Sequence, residues 1–178
     1  MIFFELLNQL NESKTLVDIR RDDLNVDDIR GFILGTSAEF VLIGVVGDDI
    51  QHNGFTVIAT ADISYLRWGT DYLLGWEKAL PAPVGHDQAR ETDLSSWWGI
   101  LATARTMAPL VTFFRERLDS RTCYIADQFQ FSDDMIVGRQ ITTDGQRNGS
   151  FAMRTDDLTR VDFGGSYEGG LKRMLDSI

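Results

Sequence analysis

Phe40 to Leu80 reads FVLIGVVGDDIQHNGFTVIATADISYLRWGTDYLLGWEKAL, and Met135 to Leu175 reads MIVGRQITTDGQRNGSFAMRTDDLTRVDFGGSYEGGLKRML. A shift of 95 residues lays one over the other without a gap. Ten of these 41 pairs are identical, among them Asn53/Asn148, Gly54/Gly149, Asp62/Asp157, Gly69/Gly164 and Tyr72/Tyr167. Carried upstream, the same shift pairs Leu6 with Leu101 and Arg20 with Arg115, and sets Ile2-Phe3 over Trp97-Trp98. Self-similarity at a fixed offset is the mark of a repeated unit. The expected organisation is a first unit over 1–80, a linker over 81–95 and a second unit over 96–178. Pro81-Ala82-Pro83 supports the linker, since closely spaced prolines favour extended chain.

Each unit reads as a helix followed by five short strands and a closing helix. Phe3, Leu6, Leu7 and Leu10 recur at helical spacing and predict a helix over 2–12. Strands are expected at 15–20, 28–35, 39–47, 54–60 and 62–68, and a short amphipathic helix at 71–79. The run 39–47 is nearly all apolar, as a strand buried on both faces would be. The second unit repeats the order: a helix at 95–107, strands near 110–116, 121–129, 134–142, 149–155 and 158–163, and a helix at 166–176. Asn53-Gly54 and Asn148-Gly149 are read as hairpin turns, because both residue types tolerate positive φ. Thr70 and Ser166 are placed near the starts of the closing helices. The predicted class is α+β, mainly β: a tandem duplication of a helix plus a five-stranded small-barrel unit. Closure into a barrel would remove exposed strand edges. The two units form either separate barrels or one shared sheet. Trp68, Trp76, Trp97 and Trp98 are expected at the seam between them.

Gly31-Phe32-Ile33-Leu34-Gly35, Phe40 to Val46 and Gly54 to Leu66 together resemble the strand pattern of Sm-like and SH3-like small barrels. The helix before the first strand and the Ile58-x-x-x-Asp62-Ile63 approach to the last strand are similar to an Sm-like unit. The resemblance implies a fold. It implies no RNA site, because the family's base-holding residues are not matched by the loop Thr36-Ser37-Ala38-Glu39 or by the steps Ala59-Thr60 and Arg154-Thr155.

Twenty-seven acids against 17 bases give a net charge of −10, and the distribution is uneven. Residues 1–80 carry 13 acids and 6 bases; residues 96–178 carry 11 acids and 10 bases. Nucleic-acid affinity rests on Lys and Arg releasing counterions, so the first unit would repel a phosphate backbone. An acidic surface favours a basic protein partner and speeds its encounter. One cysteine excludes a disulfide framework, and no apolar run reaches the length that spans a bilayer. A basic, apolar leader is absent at Met1-Ile2-Phe3-Phe4-Glu5. A cytoplasmic protein without membrane contact is therefore expected; its oligomeric state stays open.

No phosphate-binding loop, dinucleotide fingerprint or nucleophile elbow occurs. His52 is read as part of a solvated turn and His86 as exposed in the linker, too far from any nucleophile pattern for a triad. Cys123 reads as a buried strand thiol. No catalytic residue, metal ligand or cofactor is assigned. Asp22, Asp23, Asp27, Asp28, Asp48 and Asp49 are the expected partner-binding residues. The leading expectation is a non-enzymatic module, in the manner of an immunity or antitoxin protein, that docks a basic partner through these acids. The alternatives are a nucleic-acid binder using Arg139, Arg147, Arg154 and Arg160, and an enzyme with a carboxylate site built on residues such as Asp22 and Asp156.

Overall fold

The computed structural model describes residues 2–24 and 26–177. Helix α1 (Ile2–Glu12) leads into strands β1 (Leu16–Arg20), β2 (Ile29–Thr36), β3 (Phe40–Val46), β4 (His52–Ala59) and β5 (Tyr65–Trp68), and helix α2 (Asp71–Ala79) follows. A single turn, α3 (His86–Ala89), lies in the connecting segment. Helix α4 (Trp97–Met107) then precedes β6 (Val111–Phe114), β7 (Cys123–Phe131), β8 (Met135–Ile141), β9 (Arg147–Arg154) and β10 (Arg160–Phe163), and α5 (Ser166–Asp176) closes. The chain is α+β and mainly β, as the sequence predicts.

All ten strands form one antiparallel sheet in the order β5-β1-β2-β3-β4-β10-β6-β7-β8-β9. The halves share one sheet rather than forming separate closed barrels. The outer side of β4 is taken by β10, so β5 and β9 remain as free edges. The ladder registers of the halves correspond closely. Phe40 faces Ala59 where Met135 faces Arg154, and Val46 faces His52 where Ile141 faces Arg147. The gapless shift fails at two places: the bulge of β2 lies between Ile33 and Gly35, but that of β7 between Ala126 and Gln128. Gly31 lies opposite Val17, whereas Ala126 lies opposite Val111, so β6 is one residue out of step with β1.

The two Asn-Gly steps are not the hairpin turns. The turns lie earlier, closed by backbone bonds Gly47 N–H to Gln51 O and Thr142 N–H to Gln146 O. Gly54 and Gly149 have φ of +74° and +70° and lie inside β4 and β9, where the register slips against β3 and β8. Glycine suits this bulge because its left-handed conformation carries no Cβ penalty. Thr70 caps α2 as expected, its hydroxyl accepting from Leu73 N–H at 3.3 Å. Ser166 does not cap α5: its N–H and hydroxyl both donate to Asn53 Oδ1 at 2.8 Å, across the halves.

Burial explains the apolar run at 39–47. Val41 and Ile43 point into a core with Leu7 and Leu10 of α1 and Val17 and Ile19 of β1. Phe40 and Leu42 point the other way, into a larger core with Ile100 and Leu101 of α4 and Phe113 and Val161 of the second half. Helix α4 therefore lies between the halves and covers one face of each. Of the four tryptophans only Trp97 sits at this seam, edge-on to Phe40 with ring centroids 4.7 Å apart. Trp76 lies under Arg30, Trp98 packs beside Phe131, and Trp68 stands on the free β5 edge.

The sheet also curls. Four strands separate β1 from β6, about 24 Å if the sheet were flat. Yet Arg21, just past β1, donates to Glu116, just past β6, at 2.5 and 2.9 Å. Both side chains are essentially buried. Thr159 satisfies Glu116 further, its hydroxyl donating to Oε2 at 2.8 Å. A buried pair of this kind is destabilised strongly when one partner is removed and much less when both are replaced. Arg21→Met is expected to cost about 3–5 kcal/mol in urea unfolding. Adding Glu116→Leu should recover a large part of that loss; purely additive costs would show that the two charges do not act as a pair.

Candidate functional site

The acidic residues singled out in the sequence fall into two loops at one end of the first half. The β1–β2 loop carries Asp22, Asp23, Asp27 and Asp28, and the β3–β4 turn carries Asp48 and Asp49; all six are exposed. The pairings of Ile19 with Ile29 and of Gly31 with Val45 bring these two connections to the same end of the sheet. Arg20 partly neutralises the first loop, 2.7 Å from Asp22 and 3.8 Å from Asp28. Arg30 reaches Asp48 at 3.8 Å. Among the described residues Asp23, Asp27 and Asp49 have no ion-pair partner within 4.0 Å.

Arg30 has a stronger commitment elsewhere. It donates to Asp18 Oδ1 at 2.7 Å, and Arg67 donates to Asp18 Oδ2 at 2.5 Å. Arg30 and Arg67 lie directly opposite Asp18 on the two flanking strands. Opposite charges facing one another across strands are a standard way to satisfy a buried acid in a sheet. The Arg30 guanidinium also stacks 4.1 Å from the Trp76 ring centroid.

The arginines proposed as a nucleic-acid surface are mostly committed to acids within the chain. Arg139 and Arg147 both bind Asp127, at 2.6 and 3.1 Å. Burial opposes ionisation of Asp127, but the hydrogen bonds from these two arginines outweigh it and hold its carboxyl below the ordinary range. Arg160 pairs with Asp162 and lies 4.0 Å from Glu116. Of the four, Arg154 alone lacks an ion-pair partner among the described residues. Asp156 is exposed in the turn before β10.

The two histidines meet, which spacing did not foretell. The linker folds back over β2 and β4, and His52 and His86 stack edge to face with centroids 4.9 Å apart. Phe32 lies 6.1 Å from one ring and 6.3 Å from the other. His52 Nε2 donates to Pro81 O at 3.0 Å, since a carbonyl can only accept. Neither histidine is the exposed residue that a turn and a linker suggest; both are half-buried. They border a groove of about 370 Å³ with Lys14, Glu77, Asp87 and Arg90. Glu77 accepts from Leu16 N–H at 2.5 Å and Arg90 donates to Asn11 at 2.8 Å, so both are occupied structurally. No serine, threonine or cysteine lines the groove. Cys123 lies on β7 in the other half, and burial pushes its thiol up, away from the reactive thiolate. Among the described residues no three His, Cys, Asp or Glu side chains gather as metal ligands. Among the described residues no helix is long and apolar enough to cross a membrane.

No protein-family model and no curated protein matches the chain. Among solved structures, YcgR from Escherichia coli in complex with c-di-GMP aligns at 11% identity, over 97% of this chain and 87% of that one. Its TM-score of 0.21 is too low to assign a shared fold or site.

The histidine cluster predicts a pH response. Burial, then the neighbouring His52 and Arg90, push His86 from 6.5 down to about 4, against a weaker opposite pull from Asp87. Between these values the unfolded chain binds the proton more readily, so stability falls as pH drops from 6.5 toward 4. The Tm of the wild type should decline across this window more steeply than that of His86→Phe. Parallel curves would remove His86 as the source.

Proposed function

We propose that the chain is a protein-interaction module that docks a basic protein through the acidic end formed by the β1–β2 loop and the β3–β4 turn. One observation carries this reading: two acidic segments distant in sequence converge on one end of the sheet, while most of the chain's cations are committed to internal pairs. Only Lys14, Lys78, Arg90, Arg105, Arg154 and Arg173 stand outside an ion pair among the described residues. The unpaired surface is thus strongly acidic, which steers and selects a cationic partner.

The architecture behind the module is, on this proposal, a duplicated small-barrel unit of Sm-like or SH3-like kind, spanning 1–80 and 96–178 and joined by 81–95. Its support is the common order within each half, β5-β1-β2-β3-β4 and β10-β6-β7-β8-β9, each preceded by a helix, and the matched registers of their hairpins.

The test is capture from a lysate of the cell of origin, with the wild type and the triple variant Asp23→Asn, Asp27→Asn, Asp49→Asn. The wild type should retain a basic protein that elutes at about 1 M salt, where the Debye length falls to about 3 Å. The variant should bind it at least tenfold more weakly in titration with the purified partner. Retention that ignores both salt and the three substitutions overturns the reading.

A further inference from the structure

The geometry points to a binding site for a small alkylammonium ion in the cavity beside the first turn of α5, with the Glu168 carboxyl as its principal acceptor. The cavity holds about 200 Å³. Val45, Phe55, Phe114 and Phe163 make its apolar lining, and Thr112, Asp162 and Glu168 supply acceptors. That volume lies below the roughly 300–1,000 Å³ of sites for drug-sized ligands and suits a few heavy atoms. None of the six aspartates of the acidic end lines it, so this site stands or falls apart from the proposed partner docking.

Glu168 carries the argument. Three acids are buried in this chain: Asp18, Glu116 and Glu168. Asp18 has Arg30 and Arg67, and Glu116 has Arg21. Glu168 is 7% exposed, yet among the described residues it has no ion-pair partner within 4.0 Å. A buried acid ordinarily requires one. Thr112 donates to its Oε1 at 2.7 Å, and no hydrogen bond within the described residues reaches Oε2. Nor does the fold demand an acid here. The 95-residue shift sets Glu168 over Leu73, which is fully buried with Leu16 and Val46. The dipole of α5 favours an acid in its first turn, but it does so for an exposed side chain as well. Gly165 keeps space for the carboxyl: a Cβ there would lie 2.6 Å from Oε2, and the backbone at φ −78° needs no glycine.

The one cation of the lining is committed. Arg160 donates through Nε to Asp162 at 2.7 Å and through Nη2 as well, and lies 4.0 Å from Glu116. The lining is therefore left with one acid in excess. Thr112 stands opposite Asp162 in the β6–β10 ladder and is bonded to Glu168, so the three acceptors are contiguous. An ammonium group has three N–H donors and no acceptor, which matches such a set. The aromatic and aliphatic wall then covers a short alkyl chain.

The probe is n-butylammonium chloride, titrated calorimetrically into the full chain. It should bind with a Kd of about 1 mM or tighter. n-Butanol, which lacks the charge, and tetramethylammonium, which lacks N–H donors, should each bind at least about tenfold more weakly. Glu168→Gln keeps the size of the side chain and an acceptor for Thr112, and should weaken butylammonium by at least about tenfold. Glu168→Leu, which carries the residue of the first half, should fold with a Tm no lower than that of the wild type and show no binding. Cys123, the one cysteine of the chain, lines the same cavity, so bound butylammonium should slow its alkylation by iodoacetamide severalfold. Absence of butylammonium binding overturns the assignment. So does equal binding of either control, binding that survives Glu168→Gln, a Tm of Glu168→Leu well below that of the wild type, or binding that leaves Cys123 alkylation unchanged.

Discussion

The ladder between β4 and β10 is the constraint on which the rest of the structure depends. It gives β4 partners on both sides and so commits the central strands of the first half to burial on two faces. Phe40, Leu42, Phe55 and Val57 have no water to face, because α4 and the second half lie against them. The corresponding positions in the second half, Met135, Val137, Ser150 and Ala152, carry no such cover. Equivalent strands thus differ in composition for a reason of position: β3 is buried almost throughout, whereas β8 alternates between buried and exposed residues near its start. The seam adds polar register marks to its backbone bonds. Thr56 donates to Asp162 at 2.5 Å, and Asn53 accepts twice from Ser166. A one-residue slip would turn each of these groups to the wrong face.

Charge inside the fold follows the same geometry. Curling of the sheet brings the ends of β1 and β6 together and leaves two side chains, Arg21 and Glu116, with no access to water. Burying either alone would be prohibitive; together, and with Thr159, they are tolerated. Asp18 is handled in the same way by Arg30 and Arg67. Each such pair removes an acid together with a base, so the unpaired groups keep the acidic balance of the whole chain, a formal charge of −10.

Element order was legible because it rests on local signals. The apolar spacing in 2–12 and the β-branched run at 39–47 each report a single periodicity, and the shift of 95 residues transfers them to the second half. In the Asn-Gly steps only the glycines take positive φ, and they do so in bulges rather than turns, since a bulge can make the same demand on a glycine as a hairpin. Barrel closure was not legible, because it depends on which edge claims β4, a contact between residues some hundred positions apart. The six aspartates were readable as loop residues, but their shared location required the strand pairings. The His52–His86 contact depends on the path of a proline-rich linker and leaves no periodic trace.

One divergence between the halves shows how a tertiary contact selects residues. In the first half Phe32, Gly44 and His52 form a patch under the linker. A Cβ on Gly44 would lie 2.8 Å from His86 Nε2, so the small residue makes room for the histidine. Phe32 packs near both imidazoles, and the patch is aromatic and half-dry. In the second half the same three positions are Asp127, Arg139 and Arg147, which bind one another as an ion-pair cluster. Solvent reaches the two arginines, which are respectively about one-third and one-half exposed along their side chains. Arginine substituted at Gly44 would meet the linker helix; glycine at Arg139 would leave Asp127 with half its cations. Arg139 and Arg147 therefore occupy positions that no segment covers among the described residues, whereas in the first half the linker takes that space.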